Sequence, residues 1–114
     1  MGSAGYTWEK CFTAVSILAG GAGGLRERLS DAWVSSLTRL EMHPIPWPEL
    51  REKFERIRDQ ILPEISAAPD AVRKMEEHDL RKLAEEIVSL YDGACREYAR
   101  DPNANERSVS ARTA

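Results

Sequence analysis

The groups able to do chemistry in this chain are few. The first is GGAGG at residues 20–24, followed closely by Arg26 and Arg28. Glycine-rich turns at helix starts cradle phosphate, because backbone N–H groups converge there. The Walker pattern needs Gly-Lys-Ser/Thr at the helix start, and here Gly24 leads into Leu25-Arg26. The dinucleotide pattern needs a preceding strand, and here the preceding residues are spaced as a helix. Two readings stand: a plain helix–helix turn, or a loop that uses Gly21, Gly23 and Arg26 on an anion or partner. The second group is the cysteine pair, Cys11 and Cys95. Each lies on an apolar stripe, where a free thiol behaves as a small hydrophobe, and neither has an evident activating base. They read as buried free thiols, with a Cys11–Cys95 bridge as the alternative in an oxidising compartment. No Ser-His-Asp arrangement or nucleophile elbow is present.

The two histidines, His43 and His78, complete the set. Arg73 and His78 frame the run RKMEEH. That spacing resembles the arginine–histidine motif of HEPN ribonucleases, which are also all-helical. The resemblance implies RNA cleavage, with His78 as acid or base and Arg73 steadying the phosphate. The local acidity of Glu76, Glu77 and Asp79 would instead repel RNA. His78-Asp79 also resembles the metal-binding dipeptide of HD-type phosphohydrolases. That fold needs further His and Asp ligands on other helices, and the sequence nominates no metal ligands. No cofactor pattern is found.

These groups must be positioned by helices. Leu80, Leu83, Ala84, Ile87, Leu90, Tyr91, Ala94, Cys95 and Tyr98 recur every three or four residues. Only a 3.6-residue repeat puts them on one stripe, so residues 80–98 are predicted helical. Such a helix must bury its stripe against others. A first helix is expected over residues 8–19, with Thr7 as its N-cap and Trp8, Cys11, Phe12, Val15, Leu18 and Ala19 on one face. A second is expected over 25–42, with Leu25, Leu29, Ala32, Trp33, Leu37 and Leu40 inside. The alternating prolines of His43-Pro44-Ile45-Pro46-Trp47-Pro48 predict a non-helical connector. Pro48 suits the first position of a third helix, with Leu50, Phe54, Ile57 and Ile61 as its seam. Pro63 ends or kinks that helix, and residues 66–77 carry a single turn or short helix. Trp8 and Trp33 are expected in the core. Trp47 is either a lid over the core or an exposed anchor for a partner.

The segments Leu25-Arg26-Glu27-Arg28-Leu29 and Ile87-Val88-Ser89-Leu90-Tyr91-Asp92, with Ala14, Leu18-Ala19 and Asp31-Ala32, are similar to small uncharacterised all-helical proteins of proteobacteria. The resemblance implies a cytosolic bacterial setting and carries no activity, ligand or site.

The totals agree with one helical domain. The chain has 114 residues, 42% hydrophobic and 31% charged, with a net charge of −3. That balance argues against a nucleic-acid binder and against anionic lipid. No apolar run reaches the ~20 residues of a membrane span. CFTAVSILA after Lys10 loosely mimics a signal peptide, but its flanks are poor and cleavage is not expected. The expectation is an all-α bundle of about four amphipathic helices. It has a flexible lead over residues 1–6, a domain over 7–100 and a disordered tail over 101–114. The expected role is that of a non-catalytic, cytoplasmic protein-interaction module: a small regulator, inhibitor, or immunity- or antitoxin-like protein. It would bind a protein partner or its own copy. The expected contact residues are Gly21, Gly23, Arg26, Ile45, Trp47, Glu76, Glu77 and Asp79.

Overall fold

The computed structural model describes residues 4–43, 45–61 and 72–101. Within them run α1 (Ala4–Gly20), α2 (Leu25–Ser35), a 3-10 helix (Leu37–Glu41), α3 (Pro48–Ile61) and α4 (Glu77–Arg100). Residues 72–74 add a helical turn. The fold is all-α, with no strand among the described residues. Residues 102–114, Pro63 and residues 66–71 of the 66–77 stretch lie outside those residues.

α4 is the central element, as its stripe requires. Leu80, Leu83, Ile87, Leu90 and Ala94 are buried along it. α1 runs antiparallel to α4: Trp8 meets Tyr98 and Phe12 meets Tyr91. α3 also runs antiparallel, on another side of α4. Lys53 Nζ donates to Ser89 Oγ at 2.7 Å, and Gln60 Nε2 donates to Glu86 Oε1 at 2.8 Å. Gly93 faces Leu50 across this contact: a Cβ there would meet the end of the Leu50 side chain, which would have to shift. α2 returns along α1 and stacks Trp33 on Phe54 of α3, ring centroids 5.8 Å apart. Each Leu or Ile so buried contributes about 1.5–3 kcal/mol. An exposed pair such as Arg96–Asp92 (3.2 Å) is worth roughly 0.3–0.5 kcal/mol. Apolar burial therefore sets the helix arrangement, and surface ion pairs follow it.

Three expectations need correction. α1 begins at Ala4, so Thr7 is no cap: it is fully buried inside the helix. Ala4, Thr7, Cys11, Ala14 and Leu18 form one inner stripe, and its packing outweighs a threonine's preference for a helix start. The second helix does not run unbroken to residue 42. Ser36 leaves the helical region, with φ −139°. Its hydroxyl donates to the Lys10 carbonyl at 2.7 Å, a bond that competes with helix continuation. The tighter 3-10 turn then keeps Leu37 and Leu40 facing the core. Trp8 is only half-buried, at the edge of the core, whereas Trp33 lies within it.

The glycines of the α1–α2 turn have steric reasons. A Cβ on Gly21 would sit 2.5 Å from the Ile17 carbonyl oxygen, which accepts the Gly21 N–H at 2.8 Å. Gly23 has φ +84°, a region that L side chains avoid. Gly20 has open space around it. Gly21→Ala is therefore expected to lower unfolding free energy by about 1–3 kcal/mol. Gly20→Ala should leave it unchanged or raise it by up to about 1 kcal/mol. Urea unfolding of both variants measures the contrast, and equal effects would refute the steric account.

Candidate functional site

α1 is apolar over a wider arc than it buries. Small residues take the inside, and the larger ones are turned to its flank. Phe12 is 46% exposed, Ala19 is exposed, and Trp8 and Val15 are half-buried. α4 does the same in smaller measure. Val88 is 47% exposed, while Ala84, Tyr91 and Tyr98 are half-buried. The two surplus arcs meet along one seam. Towards the N-terminus of α1 the seam is aromatic. Trp8 stacks on Phe12 at 5.4 Å and lies 6.0 Å from Tyr98; Phe12 lies 6.1 Å from Tyr91. Towards the other end it opens into a groove of about 400 Å³, lined by Val15, Leu18, Ala19, Leu25, Ala84, Glu85 and Val88. Among the described residues, Glu85 is its only charged lining residue.

The cysteines lie in this seam and are both free. The Trp8 indole N–H donates to Cys95 Sγ at 3.3 Å. Cys11 is fully buried. Burial pushes its thiol up to about 12, and Cys95 alongside adds to the rise. The Tyr91 hydroxyl is raised first by its hydrogen bond with Cys95, then by partial burial and the two thiols.

The glycine turn is supplied with its own carboxylate. The Gly24 N–H at the start of α2 donates to Glu27 Oε1 at 2.7 Å, where an anion would otherwise sit. The nearby arginines are also used internally. Arg28 donates to the Leu18 carbonyl near the C-terminal end of α1. Arg26 donates to the carbonyls of Val72 and Met75, at 3.3 and 2.5 Å. The arrangement matches a structural turn, and the anion loop gains no support.

The expected contact residues separate to opposite ends of the bundle. Arg26 joins the turn with Gly21 and Gly23 to the segment before α4, and Glu76, with Glu77 and Asp79 in the first turn of α4, is exposed beside it. Asp79 accepts the Glu76 N–H at 3.4 Å as a helix cap, and Glu77 pairs with Arg81 at 3.4 Å. Ile45 and Trp47 lie at the other end, near the α1 N-terminus, where Tyr6 packs on His43 at 4.6 Å. Contact through these two side chains is corrected by their burial: Ile45 is 1% exposed and Trp47 7%. Arg51 fixes the connector inward by donating from Nε and Nη2 to the Ile45 carbonyl, at 3.0 and 2.8 Å. Trp47 is thus a lid over the core.

Arg73 and His78 are both exposed, on separate elements. Arg73 lines a cavity of about 250 Å³ with Arg26, Glu27, Ser30, Asp31 and Val72, and His78 is not among its walls. Among the described residues, no three His, Cys, Asp or Glu side chains converge as a metal site requires. None of the described helices is long and apolar enough to cross a membrane. Comparison with protein families, with curated proteins and with solved structures found no match. The surface residues missed in the sequence are Trp8, Phe12, Val15, Ala84 and Val88. The available signal was a second apolar row on α1 (8, 12, 15, 19) beside the buried one, and Val88 standing off the α4 stripe.

The Cys11 thiol links stability to alkaline pH. Its folded pKa of about 12 exceeds the reference value of 9.0. The folded state therefore holds the proton longer than the unfolded chain. This contribution is complete below pH 9 and is lost as pH rises towards 12, at up to about 1.4 kcal/mol per unit. Unfolding free energy should fall more steeply above pH 9 in the wild type than in Cys11→Ala. Parallel curves from urea unfolding would contradict the assignment.

Proposed function

We propose that this protein is a non-catalytic protein-interaction module that docks an amphipathic helix of a partner protein against the α1/α4 seam. The observation behind it is the continuous apolar face of Phe12, Val15, Ala19, Ala84 and Val88 on two packed helices. Contiguous exposed apolar surface of this kind marks contact sites. A groove between two helices accepts an apolar helix ridge with the spacing of its own walls. The stacked Trp8 and Phe12 supply rigid area at little entropic cost. Binding there would let a small chain act as a regulator or inhibitor, by covering a partner's surface.

Charge order on α4 separates a foreign partner from a second copy. Arg81, Glu85, Asp92 and Arg96 are all exposed on this helix. A twofold antiparallel pairing of α4 centred beside Val88 sets Arg81 against Arg96 and Glu85 against Asp92. Like charges then face each other at both ends, which disfavours self-pairing through this helix. Glu85, inside the groove, favours a ridge bordered by Lys or Arg.

Val88 and Val34 are similarly exposed, at 47% and 51%, but only Val88 borders the groove. Val88→Glu is expected to weaken a complex recovered from native extract by at least about tenfold. Val34→Glu should leave it intact, and both variants should stay folded by circular dichroism. The free chain should be monomeric by light scattering. A complex that survives Val88→Glu, or a stable dimer lost on that change, would overturn the reading.

A further inference from the structure

The chain has two cysteines, far apart in sequence, and folding brings both into one seam. Their placement follows from the antiparallel register. Trp8 lies against Cys95, and Phe12 lies against Tyr91. Cys11 falls between Trp8 and Phe12, so it faces the turn of α4 that runs from Tyr91 to Cys95. The inner stripe of α1 is small along this stretch, with Ala4, Thr7, Cys11 and Ala14. Ala94 is the buried residue opposite. Small side chains let the two backbones approach, which a disulfide needs. The two thiols also differ in access. Cys95 is half-buried, whereas Cys11 is fully enclosed.

We propose that Cys95 and Cys11 are a redox-active pair that closes into a disulfide between α1 and α4 on meeting a low-molecular-weight disulfide. The Cys95 thiolate attacks one sulfur of the small disulfide. That S–S bond breaks, and one small thiolate leaves with the electron pair. Cys95 then carries a mixed disulfide. The Cys11 thiolate attacks the Cys95 sulfur, and the second small thiolate leaves. Two protein thiols are oxidised to one disulfide. The reagent is reduced to two thiols, which take up the two protons. Cys11 cannot reach another chain, so the second step is internal. It is also the slow step, because burial holds Cys11 as the thiol. Its rate rises with pH, by about tenfold per unit below the Cys11 pKa. The product ties the first helix to the last across nearly the whole domain, and so constrains the unfolded chain strongly.

The test is incubation of the full chain with oxidised glutathione, followed by intact mass under denaturing conditions and thermal unfolding. The expected product is a monomer lighter by two hydrogens, with Tm raised by about 5–15 °C. Proteolysis should then release one peptide pair joined through Cys11 and Cys95. Cys11→Ala should stop at a glutathione adduct on Cys95. If that variant fails to fold, the peptide pair from the wild type decides. A wild-type chain that stays reduced, stops at the adduct, links to a second chain or closes with a lowered Tm overturns the proposal. None of these outcomes depends on the docking reading.

Discussion

The close approach of α1 to α4 is the constraint from which the rest follows. Thr7, Cys11 and Ala14 let α1 lie against the leucine and isoleucine stripe of α4 with little between the backbones. Larger side chains in those positions would force the helices apart, because cores tolerate overpacking poorly. The bulk of α1 must therefore go elsewhere. Trp8, Phe12 and Val15 are carried to the flank, where they meet Tyr91, Tyr98 and Val88. One packing decision thus creates both the tight seam and the exposed apolar face beside it.

The same decision disposes of the polar groups that could have done chemistry. Helix ends leave unpaired carbonyls and N–H groups, and this chain answers them with its own side chains. Arg28 serves an α1 carbonyl, Arg26 the segment before α4, Glu27 the start of α2 and Asp79 the start of α4. What remains outward among the described residues is apolar surface, the half-buried Cys95 and solvated charge.

The fold was largely legible in the sequence. The stripe of α3 is regular and the structure buries all of it; along α4 the structure buries Leu80, Leu83, Ile87, Leu90 and Ala94 and leaves Ala84, Tyr91, Cys95 and Tyr98 half-buried. The proline-rich connector and the glycine turn also stand where the punctuation placed them. α1 was less legible because its period selects a broad arc, not a side. Two adjacent apolar rows satisfy a 3.6-residue repeat equally, and only the closeness of α4 chooses the smaller one. Ser36 was hidden for a related reason: its bond to the Lys10 carbonyl is tertiary, and nothing local announces it. Of the two readings of Trp47, burial selects the lid; the sequence left both open because exposure of an aromatic between prolines depends on what lies beneath. Val88 was visible as an apolar residue off the α4 stripe, but its meaning needed α1 alongside.

The central claim is that the α1/α4 flank is open apolar surface in the free chain. A soluble paramagnetic probe, read at the methyl resonances, tests it directly. Val15, Ala19, Ala84 and Val88 should broaden strongly, while Ala14, Leu83, Ile87 and Leu90 stay sharp. Equal protection of both sets in a monomer would mean that the chain covers this face itself, and the account would fail.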